Sequence, residues 1–469
     1  MHFLELQPTY ENLLRTFEND IIGTNKDIVS FADMLNYIDS CCSIAIEARW
    51  GEGKTFFIKK VKMILDSYNE FIDNKISDSD KLKIKEKCDK LRDKEQTVYI
   101  PQVSIYYDAW KNDNDEDPIF SLIYSIITDV ANDYKLKQET DIFKKAASVL
   151  EFFTKRNYTK ILECFKSEDL LSNLKDSKEI EEQINEFLNS LLTERGDRLV
   201  VFIDELDRCR PDYAVKLLER IKHYFINDRI TFVFAINSLE LQHTIKKFYG
   251  ENFDGSRYLD RFFDFRVALP PINYDYYYLS IGHDKNSSLY NECCSLVISN
   301  NNFAMREITK YITITRIATK KYKAKNAYFF PNESRGFALC VNIFVPIMIG
   351  LKIKNFKEYE DFICGKDFSP VKEIVNSLLS AKKLNSNRFF DLLEENETYS
   401  EDVEGKKIVS VEDKMRQVYE LVFLKDFEEK SIGNYSFCNS FKNELIRIAG
   451  LTSQHADFSI WITEEKDNG

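Results

Sequence analysis

The stretch that most constrains this chain is Ser43-Ile44-Ala45-Ile46-Glu47-Ala48-Arg49-Trp50-Gly51-Glu52-Gly53-Lys54-Thr55. A short apolar run reads as a buried strand, a small-residue loop follows, and Gly-Lys-Thr opens a helical pattern at Phe56. Strand, glycine loop and helix in that order make a phosphate cradle. Gly51 and Gly53 let successive N–H groups turn inward, and Lys54 reaches the β- and γ-phosphate oxygens. Thr55 offers its hydroxyl to Mg²⁺ at a helix N-terminus whose dipole favours anions. Trp50, Gly51, Glu52, Gly53, Lys54, Thr55 and Phe56 are thus the candidate contacts of a nucleotide, with ATP and Mg²⁺ the implied ligands. Ala48 stands where the full G-x-x-x-x-G-K-[ST] pattern has its first Gly, a place Ala fills if φ is negative. Glu52 puts a carboxylate beside an anion site; it points to solvent or weakens binding.

A second stretch completes the first. Leu199-Val200-Val201-Phe202-Ile203-Asp204-Glu205 is a continuous apolar run ending in acids, the pattern of a buried parallel strand whose carboxyl end opens onto a site. Asp204 would hold Mg²⁺ beside Thr55, and Glu205 would polarise the water that attacks the γ-phosphate. A lone run ending in acids says little, but here the two halves are both needed for one metal site. The phosphate loop first, the acid strand later and much sequence between is the order of the additional-strand class of P-loop NTPases.

The remaining pattern is helix-rich. Helices are expected before Ser43 and after the loop, and the charged segment 66–96 reads as a solvated helix or helical hairpin. Thr97–Trp110 reads as a strand, 113–198 as a long helical insertion, and Ile230–Ile236 and Phe263–Leu269 as further core strands. Beyond them the pattern is helical to the end, with one polar turn at 401–407, where Glu404-Gly405-Lys406 reads as a plain turn. The expectation is an α/β protein: a P-loop NTPase core with a five-stranded mainly parallel sheet over 41–271, preceded by a lead and helix over 1–40. A helical insertion would fill about 111–198, a helical lid 272–335 and a helical C-terminal domain 336–469.

Charge and cysteine content narrow the function classes. With 65 basic against 77 acidic residues and no basic-aromatic tract, a nucleic-acid motor is disfavoured. Ten Cys without a C-x-x-C pair read as reduced thiols and a cytoplasmic location. Gly336–Leu351 is the most apolar segment, short for a membrane span and interrupted by Asn342 and Pro346, so a buried helix is expected and no membrane.

Several motifs together resemble the KAP family of P-loop NTPases, a branch of the AAA+/STAND-like group. They are Ala48–Thr55 with its Trp50; Tyr107-Asp108-Ala109-Trp110; Ile203-Asp204-Glu205-Leu206-Asp207-Arg208-Cys209; Tyr258-Leu259-Asp260-Arg261-Phe262; and Met305-Arg306-Glu307-Ile308. The likeness spans about residues 15–315. It implies an ATPase of the soluble, bacterial type, whose relatives are often linked to bacteriophage exclusion. In AAA+-like folds a polar residue ending the strand before Leu239 aligns the attacking water; Asn237 matches that position, and an ordinary helix cap fits it equally. An Arg before the last strand can act as a finger onto a neighbouring subunit's γ-phosphate, with Arg261 ahead of Arg257, and Arg306 would reach bound nucleotide from the lid. A homo-oligomer and a separately encoded effector are the implied partners. The alternative is a nucleotide-binding scaffold that recruits a partner without useful turnover.

Overall fold

The computed structural model describes residues 6–72, 76–92, 97–133, 145, 170–225, 227–321, 332–381, 410–424, 429–433 and 435–458. It divides into a unit over Gln7–Tyr276 and a unit from Tyr277 onward. In chain order the first unit holds α1 (Tyr10–Glu18), α2 (Asn25–Tyr37), β1 (Cys42–Glu47), α3 (Lys54–Tyr68), α4 (Asp78–Leu91), β2 (Gln102–Asp108) and α5 (Pro118–Asp133). A helix over Leu170–Arg195 then leads to β3 (Arg198–Asp204), a helix over Pro211–Tyr224 to β4 (Ile230–Ile236), and helices over Ser238–Tyr249 and Gly255–Leu259 to β5 (Phe265–Ala268).

The five strands form one sheet in the order β2-β3-β4-β1-β5, every pairing parallel. All seven residues of β3 and all seven of β4 are buried, as strands covered by helices on both faces must be. β4 lies between β1 and β3, so the loop strand and the acid strand are not neighbours. Register pairs Glu47 with Ile236, Ala235 with Asp204, and Asp204 with Asp108, which brings four carboxyl ends to one edge of the sheet. Open parallel sheets bind ligands beyond that edge.

Three sequence expectations change in detail. The strand expected over Thr97–Trp110 is confined to Gln102–Asp108, after Pro101, which has no N–H for a ladder. The one expected over Phe263–Leu269 shortens to four residues on the sheet's edge. The charged helix α4 is not wholly solvated: it buries Ile84 and Cys88, and Arg92 just after it pairs with Asp33 of α2 at 2.9 Å. Within the expected insertion, α5 buries Ile119, Leu122, Ile123 and Ile126 in the same core as β2 and β3. Most of 134–169 lies outside the described residues, as does the turn expected at 401–407.

One core runs through the second unit, from Tyr278 to Ala449, and joins the helices before residue 321 with those after residue 335. Its central helix is Asn332–Lys354. The part over Arg335–Lys354 is long and apolar enough to cross a membrane, yet 83% of its most apolar stretch is buried in this core, which fits the buried helix expected for Gly336–Leu351. Pro346 interrupts its hydrogen-bond ladder, and the Pro346 carbonyl accepts from the Tyr311 hydroxyl at 3.1 Å. The chain is not helical to the end. β6 (Glu429–Ile432) and β7 (Tyr435–Cys438) form an antiparallel hairpin, because Tyr435 and Phe437 alternate into the core and Gly433 turns the chain at φ 58°.

Gly336 is where this hairpin meets the central helix: a Cβ there would lie 2.0 Å from the Ser436 carbonyl oxygen. Gly336→Ala is therefore expected to destabilise the protein by about 1–3 kcal/mol, read as a lower denaturation midpoint, with nucleotide affinity unchanged.

Candidate nucleotide-binding site

β1 delivers the chain into a loop that reverses twice. Gly51 (φ 82°) and Gly53 (φ 92°) both adopt the left-handed region that side chains resist, and Gly53 caps α3, whose first N–H groups have no intrahelical partner. Ala48 is not among the residues with positive φ, and its N–H donates to the Ile236 carbonyl at 3.2 Å, so the missing first glycine leaves the loop intact. Glu52 is partly exposed and held by its own loop. It accepts from the Arg49 backbone N–H at 2.9 Å and from Arg49 Nε at 2.8 Å, and the guanidinium neutralises it.

Lys54 is 8% exposed, and its Nζ donates to the Ala48 carbonyl at 2.8 Å and to the Arg49 carbonyl at 3.3 Å. Burial lowers its pKa, while Asp207, Asp204 and Glu205 oppose that shift. One residue on, Thr55 Oγ1 donates to Asp204 Oδ2 at 2.6 Å. The same Oδ2 accepts from the Tyr106 hydroxyl at 3.0 Å, and Oδ1 accepts from the Glu205 N–H at 2.9 Å. Asp204 is 1% exposed; burial raises its pKa and these three hydrogen bonds hold it down.

Glu205 departs from strand geometry. At φ 59° it occupies the left-handed region, a strain of roughly 1–3 kcal/mol for a residue other than glycine, of the kind that collects at functional sites. Its carboxylate forms an ion pair with Arg208. Arg208 in turn sits between two indoles, 5.6 Å from the Trp50 ring centre and 5.4 Å from that of Trp110. Trp50 Nε1 donates to Asp207 Oδ2 at 2.5 Å. The phosphate loop and the turn after β3 are thus joined by a hydrogen bond and a stacked cation. Burial, and next the adjacent Asp204, push the Glu205 pKa up to about 7 against the pull of Arg208.

The donor set fits a divalent cation. Asp204 and Thr55 present hard oxygens 2.6 Å apart, and the buried Asp207 Oδ1 has no hydrogen-bond partner. Among the described residues, Asp204, Glu205 and Asp207 gather around Lys54 and Arg208, three carboxylates to two cations, an excess of negative charge that Mg²⁺ would balance.

The other sequence-predicted residues spread more widely. Asn237 follows the end of β4, between the loop strand and the acid strand, and its side chain makes no capping hydrogen bond. Arg261 and Arg257 are exposed before β5. Arg306 lies in the first turn of the helix Met305–Thr319, in the second unit. Trp50 is bound to Asp207, and Phe56 turns toward a cavity behind the loop. Sequence reasoning missed Tyr106 as a donor to Asp204. It also missed the Glu47 carboxylate, which pairs with Arg266 of β5 at 2.7 Å and accepts from the Ser238 hydroxyl. A Tyr and an Arg inside strands carry no local signal of such contacts.

The model of the KAP family P-loop domain matches residues 24–275, more than half of the chain. The chain belongs to the KAP family. No curated protein matches this KAP chain. Among solved structures it is similar to an Aeropyrum pernix ORC2 protein in ADPNP-ADP complexes, at 11% identity over 91% of this chain and 92% of that one, with a TM-score of 0.31, too distant to build on.

The raised Glu205 pKa makes a signed expectation for the KAP protein without nucleotide or metal. Because the folded carboxyl titrates near 7 and the unfolded one near 4.5, the folded state binds the extra proton in that window. This group therefore adds stability as pH falls from 7 to 4.5. Thermal melts across that range should show a pH-dependent difference between wild type and Glu205→Gln; curves that stay parallel would contradict it.

Proposed function

We propose that this KAP protein is a Mg²⁺-dependent ATPase whose nucleotide cycle switches its conformation or assembly, in bacterial anti-phage defence. The observation that carries the catalytic reading is the 2.6 Å bond from Thr55 to Asp204, which brings the end of the phosphate loop onto the acid strand with Glu205 next in the chain. The defence setting draws its support from the family resemblance and from no residue of the site.

When bound, Mg²⁺ supplies Lewis-acid stabilisation of charge on the phosphate oxygens, and Thr55 and Asp204 are the residues to hold it. Lys54 already points its ammonium at loop carbonyls and exchanges them for β- and γ-phosphate oxygens. The Gly51 and Gly53 reversals and the free N–H groups opening α3 bind the same phosphates. Glu205 takes the proton of the attacking water while Arg208 holds one of its carboxylate oxygens, leaving the other to accept. Asn237, at the end of the strand between the two motifs, orients that water. Arg261 stands exposed, as a residue acting on a neighbouring subunit would, and a homo-oligomer follows from that role. Arg306 is the candidate nucleotide contact from the helical region, and an effector protein is the candidate partner.

One observation favours the second reading, a nucleotide-locked scaffold: the ion pair with Arg208 occupies the carboxylate that would serve as base. Phosphate release separates the two. Under the ATPase reading Glu205→Gln retains ATP binding and loses about 10²–10⁴-fold in turnover, while Lys54→Ala loses binding. Wild-type release equal to the Lys54→Ala background, alone or with partner candidates, would select the scaffold.

Assembly is tested by light scattering on a sizing column. ATP and Mg²⁺ should produce a larger species that Glu205→Gln accumulates and Arg261→Ala loses; a mass indifferent to nucleotide would remove the trans-acting role of Arg261.

A further inference from the structure

Three separated stretches each send one large side chain to a point beside the Glu205 carboxylate. Trp50 comes from the phosphate loop, Trp110 from the turn after β2 and Arg208 from the turn after β3. The indoles are 43% and 52% exposed, so packing in a core does not account for them. Each lies instead against the Arg208 guanidinium, 5.6 Å from the Trp50 ring centre and 5.4 Å from that of Trp110. An arginine enclosed by two rings has lost most of the freedom of a surface arginine, and its Nε is held against Glu205 Oε2.

The two walls differ in what holds them. Trp110 is tied to the acid strand, because the Ala109 N–H just before it donates to the Asp204 carbonyl at 3.0 Å. Trp50 is tied to the phosphate loop on both sides. The carbonyls of Ala48 and Arg49 ahead of it hold Lys54 Nζ at 2.8 Å and 3.3 Å, and Gly51 after it makes the first left-handed reversal, at φ 82°. Its own Nε1 donates to Asp207 Oδ2 at 2.5 Å, so the indole is fixed at its edge as well as its face. A phosphate that draws Lys54 off those carbonyls and gathers the N–H groups of the loop changes the chain on either side of Trp50. The ring then moves against Arg208 while the Trp110 wall stays with the strand.

We propose that Trp50 is a positioning residue, which makes the hold of Arg208 on Glu205 follow the state of the phosphate loop. This rests on the ATPase reading above and adds its regulation: the base takes its working position only when the loop holds phosphate. Trp50 acts through Arg208 and touches neither the attacking water nor the transferred phosphate.

Steady-state ATP hydrolysis by the full chain with Mg²⁺ tests this with wild type, Trp50→Leu, Trp50→Phe, Arg208→Gln and the Trp50→Leu/Arg208→Gln pair. Trp50→Leu and Arg208→Gln should each lower kcat by about tenfold to a hundredfold and leave the KM for ATP within about twofold, which also shows that the variants fold. Trp50→Phe, which keeps a ring against Arg208, should recover most of the kcat lost in Trp50→Leu. The pair should be no slower than Arg208→Gln alone, since Trp50 has no other route to Glu205. Tryptophan emission gives a readout that needs no turnover: ATP and Mg²⁺ should change it in wild type and much less in Trp50→Leu. Losses that multiply in the pair, a raised KM at unchanged kcat, or an emission change of full size in Trp50→Leu would overturn the assignment with hydrolysis by wild type intact. Failure of the ATPase reading looks different: wild-type turnover would equal the Lys54→Ala background, and the positioning role would fall with it.

Discussion

A buried carboxylate must be given hydrogen bonds or a cation, and the arrangement of the first unit follows from how Asp204 obtains them. Its donors come from three places: the start of α3 through Thr55, β2 through Tyr106, and its own turn through the Glu205 N–H. Thr55, in the first turn of α3, and Asp204, at the end of β3, are 149 residues apart in sequence, and β1, the strand that leads to Thr55, is not a neighbour of β3 in the sheet. They meet because β4 spaces β1 and β3 and because parallel register brings their ends level. Without such partners, a carboxylate at 1% exposure would be protonated or would hold the sheet end open to water.

A second tie runs above the first. Trp50 hydrogen-bonds Asp207 and, with Trp110, encloses Arg208, while Arg208 pairs with Glu205. Movement of the loop around a phosphate would act on Trp50, and through Arg208 on the Glu205 carboxylate three residues before it. The loop's own acid is kept out of this by Arg49, which binds Glu52 from both backbone and side chain. Local neutralisation explains how a carboxylate is tolerated next to an anion cradle.

The second unit is organised by packing instead of charge. Its central helix is buried all round over Ala338–Leu351, and glycines at 336 and 350 allow the hairpin and Val297 to approach more closely than any side chain would permit. Among the described residues no cluster of His, Cys, Asp and Glu there or elsewhere could hold a metal by itself.

The phosphate loop, the acid strand and the parallel sheet were legible because each is a local pattern: glycines where φ is positive, unbroken apolar runs where both strand faces are covered, acids where a strand ends. The same local reading named Lys54, Thr55, Asp204 and Glu205. It could not say what Glu52 does, since Arg49 and Glu52 find one another only once the loop has closed. Nor did it place Tyr106 on Asp204 or Arg208 between two indoles, because each contact joins segments far apart in the chain. The hairpin near the end escaped for a related reason: four-residue strands carry too few alternations to outweigh helical patterns around them. Sequence by itself determined which residues could do phosphate chemistry, through backbone freedom and side-chain type. Only tertiary structure decided which of them share a low-dielectric space, and there burial and neighbouring charge set their protonation and their partners.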